Sequence, residues 1–114
     1  MDLKHFDISA GETGVDVTIL DFDNNPTDMK IKVLSFHSKK GREIFLNMLK
    51  DGEVGKDRRS ELLAKLTVGW EGLTEEDKEV KFSEKEALRI YDKYQIIASQ
   101  VERFTENAKN FLKK

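Results

Sequence analysis

The feature that most constrains this chain lies in its last third. Ala87, Ile90, Tyr94, Ile97, Val101, Phe104, Ala108 and Phe111 recur at steps of 3, 4, 3, 4, 3, 4 and 3 residues, with no charged residue among them. A repeat averaging 3.5 residues places every member on one stripe of a helix. The stripe opens at Ser83–Glu86, which fits a capping box: the serine hydroxyl accepts the Glu86 N–H and the glutamate reaches back to the Ser83 N–H. Lys109, Lys113 and Lys114 stand near its far end, where cations suit the helix dipole. The pattern predicts a long C-terminal helix, or two nearly collinear ones. Such a stripe needs a facing surface, supplied either by the chain's own helices and hairpin or by a partner chain.

Upstream the period changes. Val15, Val17 and Ile19 alternate with Asp16 and Thr18; Met29, Ile31 and Val33 alternate with Lys30 and Lys32. Two alternating runs around the polar turn DNNPTD, which holds the only proline, Pro26, read as a β-hairpin. A lone hairpin is marginal in water, so its apolar face must be covered. Ile44, Phe45, Met48 and Leu49 then follow helical spacing, ended by Asp51–Gly52. GEVGKDRR is a loop or linker, and Leu62, Leu63 and Leu66 cluster on a further helix. At 114 residues the chain fits a single domain, residues 1–114, able to bury roughly two-thirds of its unfolded surface without a metal or disulfide. The expected fold is α+β, mainly α: an N-terminal β-hairpin at about 13–36 packed on a small helical body at about 38–114 that ends in the long C-terminal helix.

Composition and motifs argue against chemistry. The net charge is −2, without the cationic excess that phosphate binding draws on. There is no cysteine, hence no thiolate nucleophile and no Cys-based zinc site. The N-terminal MDLKHFDISAG has no apolar run of signal-peptide length, and no stretch approaches a membrane span. Asp21, Asp23, Asn25 and Thr27 resemble the start of a calcium loop, but Pro26 and Lys32 stand where its glycine and glutamate belong. They read as a hairpin turn instead. His5 and His37 have no companion ligand, so a structural or solvated role is expected. Glu71, Glu75, Glu76, Asp77 and Glu79 read as a solvated acidic loop, with an acidic docking patch for a basic partner as the other reading. Lys56–Arg59 is a cationic cluster without interleaved aromatics. No phosphate loop, nucleophile elbow or Ser/His/Asp set occurs. The chain is expected to need no catalytic residue, metal, cofactor or small-molecule substrate.

The only tryptophan sits at a corner marked by two glycines, Gly69–Trp70–Glu71–Gly72. The corner VGWEGL, the start VKFSEKEALRIYDKY and the end IIASQVERFTENAKNFL come in that order. Together they resemble the tail assembly chaperones of long-tailed, siphovirus-like bacteriophages and prophages. The matching positions are Val68, Gly69, Trp70, Gly72, Phe82, Ser83, Gln100, Val101, Phe104, Asn110 and Phe111. Two features depart from the family pattern: the connector TEEDKEVKFS lacks a glycine and a proline, and Gln95 rather than proline follows Tyr94. No motif matches in the N-terminal half.

The resemblance implies a non-catalytic protein of the host bacterial cytoplasm, absent from the mature virion. It would bind the tape measure protein, help recruit tail tube protein subunits, and in many relatives also exist in a longer, frameshifted form. Apolar side chains would make the contacts, with Trp70, Tyr94, Ile97, Phe104 and Phe111 as candidate partner-binding residues. Trp70 has two readings, a plug over the joint between two helices or a direct partner contact. Self-association is a further expectation. The rival readings are a structural tail completion or connector protein of the virion and a small nucleic-acid-binding regulator.

Overall fold

The computed structural model describes residues 1–50 and 58–113. The helix stop at Asp51–Gly52, the linker as far as Asp57, Lys56 and the last lysine lie outside them.

The alternating runs form the expected hairpin. Strands β1 (Val15–Leu20) and β2 (Pro26–Val33) pair antiparallel from Val15↔Val33 to Leu20↔Pro26, with an irregularity between Thr18 and Leu20. Val17, Ile19, Ile31 and Val33 are buried; Asp16, Thr18, Lys30 and Lys32 are exposed. The carboxylate of Asp21 organises the turn, its Oδ1 accepting the Asp23 N–H at 2.9 Å and the Asn25 N–H at 3.0 Å. Asn24 takes φ 64°, a left-handed conformation that asparagine tolerates.

The tryptophan corner is a strand. Helix α2 (Arg58–Leu66) stops at Leu66, and β3 (Thr67–Glu71) starts at the next residue. It pairs antiparallel with β2 through Ile31↔Trp70 and Val33↔Thr67, giving the sheet order β1-β2-β3. The physical reason is composition: Thr67, Val68 and Trp70 suit a half-buried pleated surface. A third strand also relieves the marginal stability of a two-stranded ribbon. The two glycines differ. Gly72 has φ 78°, and a Cβ there would lie 2.2 Å from the Asp28 carbonyl oxygen, whereas a Cβ on Gly69 would meet open space.

The acidic run is likewise no loop. Strands β4 (Thr74–Glu75) and β5 (Lys78–Glu79) form a small hairpin whose two-residue turn, Glu76–Asp77, has φ 51° and 67°. Positive φ at both central residues is the turn geometry that matches strand twist, although Asn-Gly is the usual way to reach it.

Of the C-terminal alternatives, two successive helices are present: α3 (Glu84–Lys93) and α4 (Gln95–Glu106). The Ser83 hydroxyl accepts the Glu86 N–H at 3.0 Å, while the Glu86 carboxylate pairs with Arg89 at 2.6 Å. Tyr94, at φ −112° and ψ 84°, separates the helices. The Gln95 amide fixes the break by donating to the carbonyls of Tyr91 and Asp92, which end α3. The stripe outlasts α4: Asn107 leaves the helix, its side chain accepts the Lys109 N–H at 3.1 Å, and Ala108–Phe111 form a 3-10 turn.

The stripe's mate is the chain itself. Ala87, Ile90, Ile97, Val101 and Phe111 are buried with Val17, Ile19, Ile31, Val33 and Leu63, while Tyr94 and Phe104 pack half-buried against this core. Helix α3 lies on α2, and α4 lies on β1 and β2. The 3-10 turns Leu3–Phe6 and Ser9–Glu12 bring the N-terminal segment to the C-terminal one, where the Lys113 N–H donates to the Asp7 carbonyl at 2.8 Å. Among the described residues no helix is long and apolar enough to cross a membrane.

Helix α1 (Lys39–Lys50) departs from its expected packing. Of Ile44, Phe45, Met48 and Leu49 only Met48 is buried; Ile44 is half-buried and the other two are exposed. It is held to α2 by Arg58, whose guanidinium donates to the Met48 carbonyl at 2.8 Å.

Candidate functional site

Helix α4 runs beside β1, an outer strand of the sheet. An outer strand presents backbone groups that its one neighbour does not satisfy. At Leu20 the Gln100 amide takes the place of a missing strand. Its Oε1 accepts the Leu20 N–H at 2.8 Å and its Nε2 donates to the Leu20 carbonyl at 2.9 Å. Around this clamp lies an open groove of about 540 Å³, lined by Thr18, Leu20, Phe22, Ile96, Arg103 and Phe104 among others. Phe22, at the tip of the hairpin, is 87% exposed.

A second, smaller pocket of about 260 Å³ opens at the α3–α4 joint, with Met29, Leu73, Val80, Ile90 and Ile97 as its apolar wall. Glu75 and Tyr94 stand at its rim. The Tyr94 hydroxyl donates to Glu75 Oε2 at 2.6 Å, Lys93 Nζ reaches the same oxygen at 3.2 Å, and Arg89 reaches Oε1 at 3.1 Å. The tyrosine bond first, then Lys93 and Arg89, hold the Glu75 carboxyl down to about 2. The Glu75 contact likewise raises Lys93, while Arg89 is raised first by its hydrogen bond to Glu86 and then by Glu75. A carboxylate kept ionised in this way is a poor proton carrier near neutral pH. Its place is structural, tying the β4–β5 hairpin to the joint between the helices.

The buried Tyr91 phenol is equally unsuited to proton transfer. Burial pushes it up to about 12, against the opposing effect of its 2.7 Å hydrogen bond with the Thr67 hydroxyl. The exposed His37 lies with its Nε2 2.6 Å from the Glu106 carbonyl oxygen. Among the described residues no group of three or more histidine or acidic side chains is arranged to hold a metal ion.

The five residues singled out by the sequence do not converge. Trp70 is half-buried, its indole N–H donating to the Val80 carbonyl at 2.8 Å and its ring meeting Phe82 edge-on at 5.0 Å. That contact pins β3 to the segment ahead of α3. Tyr94 and Ile97 line the smaller pocket, though Ile97 is only 8% exposed. Phe104 lines the larger groove and meets Phe111 edge-on at 5.4 Å; Phe111 itself is fully enclosed. The two arginines of the cationic cluster are occupied as well: Arg58 pairs with Glu61 and Arg59 with Glu102.

Three features were missed. The Gln100 clamp joins residues eighty apart, and the Glu75 centre joins a hairpin to a helix joint; no local pattern marks either. The third, an apolar ridge on α1, did have a signal, since the stripe Phe45–Leu46–Leu49 lies between lysines and an arginine. No protein-family profile, curated protein or solved structure matches this chain.

Proposed function

We propose that this chain is a tail assembly chaperone of a long-tailed bacteriophage or prophage. It binds the tape measure protein stoichiometrically, keeps that long helical polypeptide soluble, and helps recruit tail tube subunits around it. It acts in the host cytoplasm, without catalysis or cofactor, and leaves before the virion is complete.

The observation that carries this reading is the ordered motif set from Val68 to Phe111. Its pieces occupy the joints of the fold: Trp70 pins β3, Ser83 caps α3, Gln100 clamps the sheet edge, and Phe104 meets Phe111 edge-on. They therefore preserve a scaffold, and the partner is met on surfaces that the scaffold leaves open. Those surfaces include the groove at Phe104, the pocket at Tyr94 and Ile97, and exposed apolar side chains such as Phe22, Leu46 and Leu49. Reversible apolar contact is what a holding protein needs.

Co-expression with the tape measure protein of the same phage or prophage tests the proposal. The expected result is a soluble complex with the tape measure, which is insoluble when expressed alone. A peptide census of purified particles supplies the opposing arm: stoichiometric presence of this chain in mature virions rejects the chaperone reading and favours a structural tail completion or connector subunit.

A further inference from the structure

The geometry points to the outward stripe of α1 as the docking surface for an acidic amphipathic helix of the bound partner; this rests on the proposed binding function. At 3.6 residues per turn, Gly41, Ile44 and Met48 share the inner side of α1. Phe45 and Leu49, four apart, and Leu46, three before Leu49, form an adjoining ridge. They are 36%, 60% and 55% exposed. Phe45 meets Phe36 edge-on at 5.4 Å and keeps the rest of its ring open, while Leu46 and Leu49 stand more than half exposed, an apolar patch of the kind that marks a contact site.

Charge identifies the occupant. Helix α1 carries Lys39, Lys40, Arg42 and Lys50 against the single acid Glu43. All four cations are exposed, and among the described residues none of them is in an ion pair. The nearby carboxylate of Glu12 is taken up by the Lys39 and Lys40 backbone N–H groups, at 2.7 and 3.3 Å. Arg42 lies one turn before Phe45 and Leu46, and Lys50 one turn after Leu46, so cations border the ridge. A helix with an apolar face seats its side chains between those of the ridge, and acidic residues on its flanks meet the lysines and arginine. An extended strand finds no free backbone on a helix. A second copy in a twofold contact would set one cationic ridge against another.

The test uses the full chain and a Leu46→Asp/Leu49→Asp variant, whose fold is checked by circular dichroism because both side chains are exposed. The probe is a fluorescein-labelled amphipathic peptide of about 20 residues built from leucine, alanine and glutamate, long enough to be helical. A control peptide has lysine in place of each glutamate. Fluorescence anisotropy should show binding of the glutamate peptide, weakened roughly tenfold or more in the variant and also by added salt. The lysine peptide should bind at least roughly tenfold more weakly to the wild-type chain. Equal binding by the variant, equal binding of the lysine peptide, or no binding overturns the assignment. So does partition onto phosphatidylglycerol vesicles, or a dimer that the variant abolishes, in place of peptide binding. The same variant enters the co-expression experiment. A tape measure kept soluble equally well by wild type and variant removes α1 and leaves the chaperone reading standing. A wild-type chain that binds the glutamate peptide but not the tape measure does the reverse.

Discussion

Replacing Gln100 tests whether one amide on a helix completes the edge of the sheet. It makes two hydrogen bonds to the backbone of a single residue, at 2.8 Å to the Leu20 N–H and 2.9 Å to the Leu20 carbonyl. Each neutral bond contributes about 0.5–1.5 kcal/mol net, so losing both in Gln100→Leu costs about 1–3 kcal/mol. The groove beside the clamp is open, and water replaces part of the loss, which brings the expectation to about 1–2 kcal/mol. That corresponds to a fall in Tm of roughly 4–8 °C for a domain of this size. Gln100→Glu separates the two bonds. Its carboxylate still accepts the Leu20 N–H, but the second oxygen now faces the Leu20 carbonyl, acceptor against acceptor. Protonation restores a donor there. The folded state therefore favours the acid, and the folded pKa lies above the unfolded value of about 4.3. A raised pKa contributes stability that is fully present below the unfolded value and is lost as pH rises through the folded one. Gln100→Glu should thus be destabilised near neutral pH and approach wild type at about pH 4, whereas the deficit of Gln100→Leu stays flat with pH. Urea unfolding followed by Trp70 fluorescence measures both, each against wild type at the same pH. If Gln100→Glu matches wild type at neutral pH, or its deficit does not change on acidification, the clamp does not hold the edge as described.

The remaining predictions concern the turns and the carboxylate centre. Glu75 has a depressed folded pKa, near 2, so its contribution is present above the unfolded carboxyl range near 4.5 and is lost as pH falls towards 2. Glu75→Gln should be less stable than wild type near neutral pH and should lose less stability over that acid window; parallel acid-unfolding curves would contradict this. The β4–β5 turn holds Glu76 and Asp77 in left-handed conformations, which cost L residues roughly 1–2 kcal/mol each. Glu76→Asn with Asp77→Gly should accordingly raise stability by about 1 kcal/mol in urea titrations. In the β1–β2 turn, Asp21 accepts two backbone N–H groups through its side chain, whereas Asp23 contributes a backbone N–H. Asp21→Ala should cost about 1 kcal/mol and Asp23→Ala almost nothing, by thermal melts. Equal effects would mean that the turn is held by something else.

The sequence by itself determined what depends on period, chirality and neighbours a few residues away. Alternation of Val15, Val17 and Ile19 against Asp16 and Thr18 specified a strand and its buried face. The serine of Ser83–Glu86 specified where α3 begins, and the Asn/Asp-rich turn specified the hairpin. The 3.5-residue stripe specified helices with one apolar side. It did not specify the mate, because a stripe is equally satisfied by a partner chain and by the chain's own sheet.

Only the tertiary structure decided the mate, which burial shows to be β1, β2 and α2. It also turned the Trp70 corner into a third strand, since that strand forms only where β2 offers an open edge. The acidic run became a hairpin anchored by Glu75, because Arg89, Lys93 and Tyr94 meet that carboxylate across a helix joint. Conversely, Leu46 and Leu49 were left in water and Phe45 was covered only in part, by Phe36, although α1 carries the spacing of a core helix. The physical reason is the same in each case. Local sequence fixes backbone propensity and which side of an element is apolar. Which apolar sides are covered depends on contacts between residues far apart in the chain, and those exist only once the elements have packed.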